Sequence, residues 1–253
     1  MQEFISHALL VAIRVGGLMT FAPFFGNAAM PNAAKGTLAL VLTALLLPVY
    51  AATGSGPAPA VTTWIGMALS EAALGLMMGF TAQFVFDGVE LAGQVISFQF
   101  GFSLANVIDP NSQVQVTVLS TFQTLAALLI FMQLGVHRWL LRATAMSFQM
   151  IPAGSFAATR LPAPQLLKAA GAMWLVGAEI AFPVLFATMM ADVTIGFLSK
   201  ASPQFPALLF GISTKVLLGL AVLYGVVGFW PKLLERYFYH SLTTLESLLA
   251  AAH

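Results

Sequence analysis

The chain has 253 residues, of which 59% are hydrophobic and only 8% charged, against about 25% charged in soluble domains. A net charge of +1, from 10 basic and 9 acidic residues spread thinly, leaves no basic face to follow a phosphate backbone and excludes nucleic acid as a partner. There is no cysteine, and the four histidines (His7, His137, His240 and His253) lack metal-ligand spacing, so neither thiolate chemistry nor a zinc or haem site is expected, and no cofactor.

Taking about 20 apolar residues as a membrane span, the sequence predicts an all-α integral membrane chain of about six long hydrophobic segments. The first runs from Phe4 to Phe25. It starts beside Glu3, with no Lys or Arg before Arg14, which lies inside the apolar run; a cleaved signal has the opposite arrangement, so this is read as a retained helix. The second, Gly36 to Ala52, is ended by Pro48 and the flexible TGSGPAPA. The third starts near Val61 and continues past Asp87, Gly88 and Glu90 to about Asn106, too long for one simple span and too polar at its end. Val114 to Gly135 is the fourth and carries no charge. HRWLLRATAMSFQM follows and places His137, Arg138 and Arg142 at near-helical spacing, as at a membrane or subunit boundary.

After a loop from Ile151 to Pro164, the fifth segment spans Ala169 to Ser199 and the sixth Ala207 to Trp230. From Pro231 the chain reads as an amphipathic helix, with Leu233, Leu234, Leu242, Leu245 and Leu248 at helical intervals. No internal repeat and no boundary between soluble domains is visible, so residues 1–253 are expected to form one unit. Basic residues fall on nearly every connecting stretch, and the positive-inside rule therefore sets no orientation.

Five charges fall within the runs: Arg14, Glu71, Glu179, Asp192 and Lys215. A charge near the bilayer centre costs at least about 2.5–3.5 kcal/mol on insertion scales, so such groups face protein or a water-filled cavity. They either line a conduction path or proton relay, or pair with one another or with neighbouring subunits; the near balance of acids and bases suits pairing. Pro23, Pro48 and Pro183 interrupt apolar runs, which at membrane depth requires nearby protein or water to satisfy the freed carbonyls. Gly75 and Gly79 form a GxxxG on the segment carrying Glu71 and permit close helix approach. These features describe an obligate subunit of a larger membrane assembly.

One stretch stands apart: FQFGFSLANVIDPNSQVQVT, from Phe98 to Thr117, carries eight amide or hydroxyl side chains and one charge, Asp109, followed by Pro110. That composition suits neither bulk water nor lipid. Pro110 restricts Asp109 to extended geometry, and Gly101 lets the chain bend.

At this stretch the chain resembles the flagellar export-gate family FliR, whose injectisome relatives are the SctT proteins. The resemblance extends over nearly the whole length. It is carried by Arg14, Pro23 and Pro31 before Lys35, Glu71 with Gly75 and Gly79, the segment GFSLANVIDPNSQ, and LGVHRWLL followed by SF and IP at Pro152. Asp192 with Gly196, and SPQFPALLFGISTK ending at Lys215, complete it. It implies a non-enzymatic, single-copy subunit of a multi-subunit gate, built of helical hairpins, with FliP and FliQ partners and FlhB. It also implies a place in the bacterial inner membrane at the flagellar basal body, with unfolded flagellar proteins as passengers.

In that family the loop after the long third helix plugs the closed pore. The corresponding positions here are Gly101, Phe102, Ser103, Leu104, Asn106, Val107, Ile108, Asp109, Pro110 and Ser112. Leu104 and Val107 stand where relatives have bulky aromatics. An ordinary polar turn is the other reading of this loop, and an injectisome gate the other reading of the family. A proton-coupled secondary transporter with Glu71, Glu179 and Asp192 as relay lacks the expected duplicated broken helices. An intramembrane enzyme lacks a nucleophile and base constellation, and no Walker-type glycine loop is present.

Overall fold

A computed structural model describes residues 2–23, 25, 31–50, 60–102, 118–155, 163–202, 204 and 206–252. Among the described residues the chain is all helical, in eight elements: α1 (Gln2–Phe21), α2 (Asn32–Tyr50), α3 (Val61–Gln99), α4 (Val118–Gln133), α5 (Val136–Met150), α6 (Ala163–Ala201), α7 (Ala207–Val227) and α8 (Trp230–Ala252). The six apolar segments are present. The two further helices, α5 and α8, are the mixed HRWLL stretch and the tail, amphipathic rather than apolar throughout. α3, α6 and Phe210–Val227 of α7 are long and apolar enough to cross a membrane, and α4 with α5 makes a fourth if that broken pair counts as one span.

Three boundaries differ from the sequence expectation. α3 stops at Gln99, not near Asn106, because Gly101 takes a left-handed φ of 82° and caps it. α2 continues through Pro48 to Tyr50, and α6, which holds Pro183 in its interior as the expected segment does, starts at Ala163 and not near Ala169. Proline removes one hydrogen bond, to the carbonyl four residues back, and the helices tolerate this without ending.

The chain divides into two compact units. The first comprises residues 1–85, 131–171 and 238–253. Its core is the stripe Val11, Val15, Leu18 and Met19 of α1, with Ala22 just past its end, packed with Leu74 and Met78 of α3, Phe148 of α5 and Leu245 and Leu249 of α8. The 3–4-residue recurrence on α1 is the pattern of one buried helical face. α1 and α3 approach closely because glycines lie at their crossing: a Cβ at Gly75 would collide with the Arg14 carbonyl, and one at Gly79 would stand 2.9 Å from the Leu18 oxygen. The GxxxG is a helix-packing surface within the chain.

The second unit comprises residues 86–130 and 172–237. Here α3 lies against α6 at Gly88, where a Cβ would come within 2.6 Å of the Met173 oxygen, and against α4 at Gly93, which faces the Ser120 backbone. The contacts leave room for no side chain.

Candidate functional site

In the first unit, Arg14 and Glu71 are fully buried and form a two-point ion pair. Arg14 Nε donates to Glu71 Oε2 at 2.5 Å and Nη2 to Oε1 at 3.0 Å. Further hydrogen bonds engage both groups. Arg14 Nη1 donates to Ser147 Oγ (3.2 Å) and to the Ile151 carbonyl (3.0 Å), and the Gly154 N–H donates to Glu71 Oε1 (2.8 Å). The guanidinium also sits 4.2 Å from the Phe148 ring centroid. Gly154 reaches Glu71 through a φ of 83°, a conformation natural only to glycine. One buried charge is thereby compensated by its opposite and by neutral donors and acceptors, the condition for a buried pair to be tolerated.

The second unit holds the start of the polar segment. α3 ends in a doubly closed glycine cap: the Gly101 N–H donates to the Phe98 carbonyl (3.0 Å) and the Phe102 N–H to that of Ser97 (3.1 Å). Phe100 is fully buried. Its ring occupies the space where a side chain on Gly219 of α7 would stand, beside Thr188 of α6. Phe102 is half exposed and meets Phe100 edge-on, with centroids 5.8 Å apart.

Beside this cap, Gln99 Nε2 donates to Asp192 Oδ2 (3.1 Å), while Lys215 Nζ pairs with Asp192 Oδ1 (3.0 Å). One carboxylate on α6 thus joins the end of α3 to α7. The pair is partly exposed on the chain, Asp192 46% and Lys215 20%. Ser103, Leu104, Asn106, Val107, Ile108, Asp109, Pro110 and Ser112 lie outside the described residues; only Gly101 and Phe102 of the expected plug fall within them.

Glu179 pairs with Arg236 of α8 at 2.5 Å, both side chains being substantially exposed. Burial pushes the neighbouring Tyr237 phenol above its ordinary value, the hydrogen-bonded Glu179 adds to that shift, and Arg236 opposes it.

The five charges within the apolar runs therefore fall into three pairs within the chain, one member of the third, Arg236, coming from the tail helix. Sequence reading does not single out Phe100, Thr188, Gly219 or Gly154. The available signal was glycine inside an apolar helix at Gly219, which marks a close approach just as GxxxG does.

A profile of the family described as bacterial export proteins, family 1, matches residues 5–241. The chain belongs to this family. It is similar to the flagellar biosynthetic protein FliR of Escherichia coli, 25% identical over 94% of this chain and 90% of that one. The FliR of Bacillus subtilis is 26% identical over 96% and 94% of the two chains, and that of Aquifex aeolicus 26% over 88% and 85%. With its several apolar helices, this family member is a membrane protein.

Proposed function

We propose that this chain is a subunit of the flagellar type III protein export gate. It forms the closed pore with FliP- and FliQ-like partners, associates with an FlhB-like subunit, and passes unfolded flagellar proteins across the inner membrane at the basal body. It catalyses no reaction. The observation that carries this reading is the family match over residues 5–241, supported by end-to-end similarity to proteins named for flagellar biosynthesis. Those names favour a flagellar over an injectisome gate.

The plug is residues 101–112, which leave α3 at the Gly101 cap. A pore for unfolded chains of any sequence must not bind one residue class strongly, because tight binding impedes conduction. Amides, hydroxyls and modest aliphatics give such a surface. The charges serve structure: Glu71, Glu179 and Asp192 each face a cation in the chain, which supports pairing over a relay.

The test is deletion of the gene in its own bacterium, with secreted hook and filament protein and swimming measured together. Loss of both, restored by the gene, supports the reading, and normal flagella in the deletion strain would end it.

A further inference from the structure

α5 carries a cationic pocket that the gate reading does not use. Arg138 and Arg142, one helical turn apart, flank Trp139, and the three line a cavity of about 270 Å³. The arginine heads are held in place. A Cβ at Gly135 would lie 2.7 Å from Arg138 Nη2, so that guanidinium rests on the bare backbone of the turn, and the Arg142 guanidinium sits 5.3 Å from the Trp139 ring centroid. All three residues are exposed, and among the described residues no carboxylate is in ion-pair contact with either arginine.

A second, mostly apolar groove shares Trp139 and Arg142 with the pocket and is lined by Met146 and Met150 of α5 and Leu242 and Leu249 of α8. Glu246 also lines this groove.

The geometry points to a site for an anionic glycerophospholipid, its phosphodiester between Arg138 and Arg142 and its acyl chain along the methionine and leucine groove. Two guanidiniums that pair with no carboxylate among the described residues match a phosphate. A tryptophan between them is the side chain that settles at the boundary of headgroup and hydrocarbon, and an amphipathic helix with a basic polar face lies in that plane. An acidic protein segment would satisfy the arginines but would have no use for an apolar channel leading away from them. This inference stands on α5 and α8 and not on the export-gate reading, so either can fail without the other.

The experiment uses the full chain, purified from its membrane in mild detergent with whatever subunits accompany it, stripped of lipid and then supplied with phosphatidylglycerol or phosphatidylcholine. Bound lipid is counted by native mass spectrometry. Phosphatidylglycerol should be retained in preference to phosphatidylcholine, and R138Q/R142Q should weaken its retention about thirtyfold, the effect of two basic residues at an anionic surface. R138K/R142K, which keeps the charge, should retain most of it. If the glutamine variant fails to fold, Met146→Asp, placing a charge in the acyl groove, should release the lipid while leaving both arginines in place. Displacement of the lipid by millimolar inorganic phosphate would mean a free-anion site and overturn the proposal. Equal retention of the two lipids would overturn it too, as would loss of accompanying subunits from R138Q/R142Q with its lipid unchanged.

Discussion

Arg14 of α1 and Glu71 of α3 hold each other through two hydrogen bonds with neither side chain reaching solvent. Removing one partner of a buried pair strands the other, at a cost of about 3–5 kcal/mol, whereas replacing both by apolar residues of similar volume is often neutral. Glu71→Ala should therefore reduce the amount of folded, assembled protein and leave export per assembled complex unchanged. Arg14→Met with Glu71→Met should be less damaging than the sum of the two single changes. Normal assembly of Glu71→Ala with lost export would reinstate the proton relay.

Asp192 and Lys215 present a weaker case of the same chemistry. Their pair is partly exposed on the chain, so alanine at either should cost the chain's own fold less than breaking the buried Arg14–Glu71 pair does. Asp192 also faces outward on a helix apolar enough to span, and its loss frees Gln99. Assembly with partner subunits should fall, again with export per complex preserved. Quantifying complex and secreted protein in one strain separates the two effects.

At Gly219, any side chain collides with the buried Phe100 ring. Gly219→Val should cost about 1–3 kcal/mol, the usual cost of overpacking, and Phe100→Leu in the same chain should recover part of it. A thermal shift of the purified complex measures both. No loss of stability in the single variant would show that Phe100 has room to move.

Glu179 and Asp192 are both substantially exposed on α6, a helix apolar enough to cross a membrane. Against hydrocarbon such charges are costly, so neighbouring subunits or water must meet them. Expressed alone in detergent, the chain should aggregate or melt without cooperativity, and it should become stable when made with FliP- and FliQ-like partners. A sharp monomer peak with cooperative melting and no partner would contradict this.

The apolar helices among the described residues are legible in the sequence, because long uninterrupted Leu, Val, Ile and Phe runs leave few alternatives. The sequence also locates the charges that need explaining. It does not tell that Glu179 meets Arg236, since the partner sits on a tail helix 57 positions away and pairing at that separation depends on tertiary packing. The end of α3 lies several residues before the expected one, for a local reason. Glycine at position 101 allows a bend, but the two closing hydrogen bonds that make it a helix terminus follow from its φ of 82°, which the residue type permits without requiring. Pro48 marks a helix end on sequence and does not make one, since a helix bearing many other bonds survives the loss of one.

The account turns on residues 101–112 closing a pore. Leu104, Val107 and Ile108 are each worth about 1.5–3 kcal/mol if fully buried, enough in sum to bias a two-state gate strongly. Deleting Asn106 to Asn111 spares α3 and α4 and should leave assembly intact while making the membrane leak small ions. The decisive measurement is ion conductance beside the level of assembled complex in the deletion strain. The account predicts raised conductance and a lowered membrane potential at normal complex levels; a tight membrane at those same levels would contradict it and return the segment to a polar turn.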